Sequence, residues 1–321
     1  MYDLIGDIHG ELGALEALLR KLGYRRTDQG WSHPGRTAIF LGDFIDRGAD
    51  SRGVCRLVRE MTLGGSALAV MGNHEFNALA YHTPDPLEDG RHLRPHTEKN
   101  IRQHAATLES FEGHEMELAD TLDWFRSLPL WMDLGELRVV HAAWHPESMV
   151  ALGDYLTHDL TLQDDVLEPM SRGGQVAYES VERILKGVEV ELPDGYSFMD
   201  KDGQKRREAR IRWWLQQEGL SWRELALGPP ELIDQLPDQP MREGASPGYP
   251  EDAPPVFIGH YWWTGTPAPL APNVACLDYS VAKPGGQLVA YRWDGEQVLK
   301  ASSFVSVTRG SVSQQPSCRA P

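Results

Sequence analysis

Apolar residues in the first eighty positions follow two different periods. Continuous runs such as Tyr2–Ile5, Thr37–Leu41 and Ala67–Val70 are strand-like, whereas Leu12, Leu15, Leu18, Leu19 and Leu22 recur at helical spacing, as do Val54, Leu57, Val58 and Met61. The pattern predicts strands over 2–6, 37–43 and 67–72, and helices over 11–24, 51–61 and 74–82. This β-α-β-α-β rhythm implies parallel strands with crossover helices, and in such sheets ligands bind beyond the carboxyl ends of the strands.

Further along, 83–97 reads as a loop rich in Pro and His, 98–110 and 115–127 as helices, and 130–134 and 137–142 as strands. From 150 to 255 the sequence becomes strongly charged and turn-rich, with a helical pattern over 204–217, and reads as an insertion or cap. Strands resume at 256–260, 273–279, 286–293 and 296–302, the last two joined by Asp294-Gly295 as a hairpin. The organisation expected is one α/β domain in two parts, 1–149 and 256–307, interrupted by a helical insertion at 150–255. A tail at 308–321 has a disordered composition.

Polar residues collect where the strands end: Asp7 and His9, Asp43 and Asp46, Asn73 and His74, His141, and His260. Asp7 and His9 are two apart, so an extended segment would turn both to one face. A lone Asp-x-His is ordinarily a turn, and a lone buried His ordinarily a hydrogen-bonded core residue. Five strand exits carrying carboxylate, imidazole and amide oxygen donors together point instead to a borderline or hard divalent cation. Two such cations can clamp a phosphoryl group, and Asp43 holds the middle position between them.

Charge narrows the partners. The chain has 321 residues with a net charge of −16, which argues against long nucleic acid and anionic membranes but not against a small anion bound in a local positive site. Three scattered cysteines form neither a disulfide framework nor a metal motif, and a reducing cytoplasm is expected. With Asp7 so near Met1 no signal peptide is expected, and no run of about 18 apolar residues appears.

GDIHG at 6–10, GDFIDRG at 42–48, GNHE at 72–75, VVHA at 139–142 and IGH at 258–260 resemble the signature of calcineurin-like metallophosphoesterases of the phosphoprotein-phosphatase superfamily. The sequence at 276–293 resembles the closing hairpin of bacterial members. The resemblance covers roughly 1–142 and 256–300 and leaves the insertion outside. It implies a four-layer α/β/β/α sandwich with two divalent metal ions, Mn²⁺ foremost and Fe, Zn or Co as alternatives.

By the same resemblance Asp7 and His9 would hold the first metal, Asp43 would bridge, and Asn73, His141 and His260 would hold the second. His74 would contact phosphate and protonate the leaving oxygen, Asp46 would orient it, and Arg47 would grip phosphate oxygens, with Asn73 also touching substrate. The attacking group implied is a metal-bridging hydroxide.

The chain also departs from the family pattern. Met71 stands where protein phosphatases have arginine, and Trp262 where nuclease-type relatives have a second histidine. One of the arginines at 206, 207, 210 and 212, foremost Arg210, is a candidate to replace the missing phosphate contact, the alternative being a solvated helix face. Trp144, Trp262 and Trp263 either stack on an aromatic substrate or pack. The histidines at 82, 92, 96 and 104 have no spacing that suits a fixed metal geometry. The N-terminal run looks most like bacterial bis(5′-nucleosyl)-tetraphosphatases and the phosphatase module of RNA-repair enzymes. Dinucleoside polyphosphates or other small phosphoesters are therefore the expected substrates. The alternatives are a serine/threonine or tyrosine protein phosphatase, then an RNA-end phosphatase or a binding module without activity.

Overall fold

A computed structural model describes residues 1–28, 30–199, 203–216, 218–241 and 248–309. The core opens with β1 (Tyr2–Ile5), α1 (Leu12–Leu22), β2 (Thr37–Phe40), α2 (Ser51–Leu63), β3 (Ala67–Ala69) and α3 (Asn73–His82). Then come α4 (Glu98–Ser110), α5 (Glu115–Arg126), β4 (Trp131–Asp133) and β5 (Arg138–Val140). The insertion contributes α6 (Val176–Lys186), β6 (Glu189–Glu191) and β7 (Glu208–Ile211) among shorter pieces. The core closes with β8 (Val256–Ile258), β9 (Val274–Cys276), β10 (Asp278–Tyr279), β11 (Gln287–Trp293) and β12 (Phe304–Thr308).

β1, β2 and β3 are parallel neighbours, and antiparallel β11 extends their sheet while pairing with β10 and β12. A second sheet runs β9-β8-β5-β4, parallel except for β4. The apolar runs are continuous because both strand faces are buried. In β2, Ala38 and Phe40 face the helices, while Ile39 meets Leu4, Val139 and Phe257 in a cluster drawn from both sheets. β5 and β8 are adjacent although residues 141–255 separate them, so the insertion leaves and re-enters between neighbouring strands.

Helix ends follow local chemistry. Asp50 Oδ1 accepts the Gly53 amide at 2.8 Å to start α2, and Gly23 closes α1 in the left-handed region at φ 94°.

Four expectations need correction. The helix expected over 204–217 is absent among the described residues there: Lys205–Arg206 and β7 are strands, and Trp213-Trp214 lies in a turn. Burial alternates along Glu208, Ala209, Arg210 and Ile211, and β7 pairs with β6 in a register that sets Arg210 opposite Glu189. Long-range pairing there overrides the helix propensity of Arg and Glu. The insertion is consequently mixed rather than helical.

The strand expected over 296–302 is also absent. The Tyr291 hydroxyl and the Asp294 amide both donate to the Glu296 carboxylate, holding a longer loop, and the strand that returns along β11 is β12. The stretch 273–279 is two strands in different sheets. The chain passes between them at Leu277, whose backbone lies so close to Gly6 that any side chain there would collide. Finally, β12 runs to Thr308, where a tail was expected to begin; 310–321 lie outside the described residues. Among the described residues no helix is long and apolar enough to cross a membrane.

Candidate active site

Every sequence-predicted metal ligand lies at a strand end on one side of the paired sheets. Asp7 and His9 do converge, but not along an extended strand: β1 ends at Ile5, and His9 turns back with φ 47°. Asp43, Asp46, Arg47 and His260 also adopt positive φ, at 54°, 67°, 69° and 71°. Such backbone costs on the order of 1–3 kcal/mol per residue and persists where surrounding contacts hold it. Here the Ile8 and His9 amides both donate to the Asp43 carbonyl, and the Gly48 amide donates to the His9 carbonyl. Gly72 and Gly259 allow close approaches, since a Cβ would strike Asp43 Oδ1 at one and Asp7 Oδ1 at the other.

Two groups of donors share Asp43. His9, Asp43 and His74 form one; Asp43, His141 and His260 form the other, the donor atoms of each lying within 4.8 Å of one another. Asp7 Oδ2 is 3.9 Å from His9 Nε2, and Asn73 Oδ1 lies 3.2 Å from His141 Nε2 and 2.8 Å from His260 Nδ1. His9 Nδ1 meets the Ile45 carbonyl at 2.9 Å and His141 Nδ1 the Leu41 carbonyl at 2.7 Å, so both rings donate outward and turn Nε2 to the centre.

These residues fit divalent cations on observations independent of any motif. His9 Nε2 and His260 Nε2 are buried without a hydrogen-bond partner. Asp7, Asp43 and Asp278 are buried close together. Burial, with Asp278 and then Asp43 nearby, pushes the Asp7 carboxyl well above the usual range despite His141 beside it, and a cation there would favour its ionised form.

Beside these donors His74 and Asp46 form a hydrogen-bonded pair. His74 Nδ1 is 2.5 Å from Asp46 Oδ2, and Arg47 Nη2 is 3.4 Å from His74 Nε2. Asp46 Oδ1 takes further hydrogen bonds from His104 Nδ1 at 2.9 Å and Thr107 Oγ1 at 2.6 Å. Burial raises the Asp46 pKa, but the His104 and His74 hydrogen bonds prevail and hold it well below the ordinary carboxylate value.

Sequence reasoning missed this outer layer. His104, set aside as a poor metal ligand, instead orients Asp46. It also approaches His82 Nε2 at 3.1 Å, while His92 and His96 stack at 4.1 Å and His96 stacks on Tyr81 at 3.9 Å. Glu75 went unassigned although its motif was recognised. Its carboxylate accepts the Gly72, Asp43 and Phe44 amides, tying two strand exits together. Asp278 accepts the Trp262 and Ser280 amides. A contact from α4 to the loop after β2, such as His104 to Asp46, leaves no local signal, whereas Glu75 lies within GNHE and Asp278 within 276–293.

The site opens into a cavity of about 1240 Å³ between α3, α4 and the insertion. Among the described residues lining it, nine are Arg or Lys and six are Asp or Glu, a positive balance within a chain of net charge −16. Arg210 and Arg206 line it. Arg212 instead donates to the Glu224 carbonyl, and the Arg207 carbonyl accepts the Leu192 amide. Of the three tryptophans only Trp262 lines the cavity, with Arg47 and Lys283 over its ring; Trp144 packs under Arg138 and Trp263 joins the core.

The calcineurin-like phosphoesterase family profile matches residues 2–192. An asymmetrical bis(5′-nucleosyl)-tetraphosphatase, PrpE, of Oceanobacillus iheyensis is 29% identical over 166 residues, 51% of this chain and 64% of the relative. Its counterpart from Halalkalibacterium halodurans is 45% identical over 74 residues, 23% of this chain and 30% of the relative. The chain thus spans less than two thirds of either. A protein serine/threonine phosphatase structure from Saccharomyces cerevisiae aligns at TM-score 0.47 and 16% identity, over 96% of this chain and 79% of that one. With the match spanning more than half of its length and including the strand exits from Asp7 to His141, the chain belongs to the calcineurin-like phosphoesterase family, which implies divalent metal ions at this centre.

Proposed function

We propose that this protein is a dinuclear-metal phosphoesterase acting on dinucleoside polyphosphates. The observation that carries the reading is the basic cavity, large enough for an extended anion, that ends at His74 and the Asp43 cluster. The names of the bacterial relatives agree with it. Asp7, His9, Asp43, Asn73, His141 and His260 would hold the ions. When bound, divalent ions, Mn²⁺ foremost and Fe, Zn or Co as alternatives, supply Lewis acidity to the phosphoryl group and to the attacking water.

The chain's own residues do the rest. Arg47 presents a planar fork to phosphate oxygens beside His74 Nε2. His74 carries a proton on Nε2 toward the leaving oxygen, its ring held by Asp46 at Nδ1 and Asp46 held in turn by His104 and Thr107. Arg210 adds positive charge from the insertion side, near enough to His260 to depress that ring's pKa after burial. On the same reading the two sheets and their helices form a four-layer α/β/β/α sandwich, with residues 150–255 as an insertion over the site.

The test is a substrate panel at fixed free Mn²⁺: diadenosine tetraphosphate, phosphopeptides, an RNA 3′-phosphate and simple monoesters, compared by kcat/KM. The dinucleotide is expected to lead. A phosphopeptide advantage above about tenfold, roughly 1.4 kcal/mol of transition-state preference, replaces this reading with the protein-phosphatase one.

A further inference from the structure

Met71, where relatives with protein substrates carry an arginine, is fully buried in the core and offers nothing to a phosphate. A different arginine reaches the cavity from the loop between α3 and α4. The Leu93 amide donates to the Thr83 carbonyl at 3.0 Å and the Arg94 amide to the Ala80 carbonyl at 2.9 Å, which folds the loop back along α3. The Arg94 guanidinium then lines the same cavity as Arg47, Asp46 and His74.

Its partners are neutral. Nη1 donates to Asn77 Oδ1 and Nη2 to Gln103 Oε1, each at 2.9 Å. A guanidinium has five N–H donors, so these two bonds leave others for a ligand in the cavity that Arg94 lines. Among the described residues no carboxylate stands within ion-pair distance of it. The acids that influence it from farther off, Glu182 and Asp46, are engaged by Lys186 and by His74 and His104 respectively. A largely desolvated cation held only by amides lacks the counter-charge that such groups ordinarily have.

The two amides also fix its place. Asn77 follows His74 by three residues on α3, about 4.5 Å along the helix axis, and Gln103 precedes His104, the residue that steadies Asp46. Arg94 therefore lies one helical turn along the cavity from the proton donor, on the side away from the metal ligands.

We propose that Arg94 is a specificity-determining phosphate ligand that takes the phosphate adjoining the scissile one, so that the site favours linear polyphosphate esters over monoesters. This rests on reading the centre as a phosphoryl-transfer site, but not on the nucleoside part of the substrate.

The test compares wild type, Arg94→Lys and Arg94→Met, all Mn²⁺-loaded at fixed free Mn²⁺. Calorimetry measures binding of inorganic tripolyphosphate and of orthophosphate, and kinetics gives the kcat/KM ratio of diadenosine tetraphosphate to p-nitrophenyl phosphate. Wild type should prefer tripolyphosphate. Arg94→Met should cut that preference about 10- to 100-fold, the worth of a charge-assisted hydrogen-bond pair. Arg94→Lys, which keeps the charge without the fork, should lie between them and carries the test if the Met variant fails to fold. Equal weakening of both ligands would make Arg94 a structural pin and overturn the proposal, as would no tripolyphosphate preference in wild type. If wild type ignores the dinucleotide yet shows the Arg94-dependent preference, the substrate reading fails and this inference stands.

Discussion

The strand-exit half of the molecule and the insertion over it obey different rules. In the core, β1, β2 and β8 are buried on both faces, so a continuous apolar run marks each strand and its polar end marks the site. In the insertion, β7 is a strand made of Glu, Ala, Arg and Ile, residues that read as helical until β6 supplies the pairing partner and Glu189 the opposite charge. Local pattern suffices where an element's burial dictates its composition. It fails where a short exposed element takes its form from a distant partner.

On the proposed function the core carries the chemistry and the insertion tunes it, and the largest expected effect comes from the residue common to both donor groups. Asp43→Asn should lower turnover by about 10³-fold or more and reduce the bound metal below that of the wild type, measured by kinetics and elemental analysis. Wild-type metal content with near-normal turnover would break the claim that the two half-sites share a ligand.

His74→Asn comes next. It should leave metals bound while slowing poor leaving groups by roughly 10²–10⁴-fold, with activated aryl esters affected less. Equal loss on both substrates removes the proton-donor role.

Arg210→Met probes the insertion's part, with an expected rise in KM of about tenfold and a smaller change in kcat, seen in steady-state kinetics. An unchanged KM detaches the insertion from substrate binding.

The smallest effect concerns stability. Burial, with His104 nearby, lowers the His82 pKa to about 4. Between about pH 6.5 and 4 the unfolded chain binds a proton that the folded state refuses, so stability falls as the pH drops through that window. His82 is part-exposed, so the loss should be about 1 kcal/mol, measured by urea titration, and His82→Gln should flatten it.

What was legible followed chemistry that is local along the chain. A buried parallel strand needs an apolar run, and its exit needs glycine and ligand-type side chains, so Asp7, His9, Asp43, Asn73, His74, His141 and His260 could all be named before any fold was known. The helices expected at 98–110 and 115–127 stand at Glu98–Ser110 and Glu115–Arg126, each with one buried face. The strand at 296–302 was misread because a two-residue turn signal, Asp294-Gly295, competes with side-chain bonds to Glu296 that only the folded chain can form.

By itself, then, the sequence determined the candidate metal donors, the α/β rhythm and the family. Tertiary structure alone decided that His104 and Thr107 steady Asp46, and that Arg94 and Arg210 reach one basic cavity in an acidic chain. The physical reason is range. Backbone propensity and burial act over a few neighbouring residues, whereas a hydrogen bond from α4 to the end of β2, or a cavity between α3 and an insertion a hundred residues away, exists only once separate elements have packed.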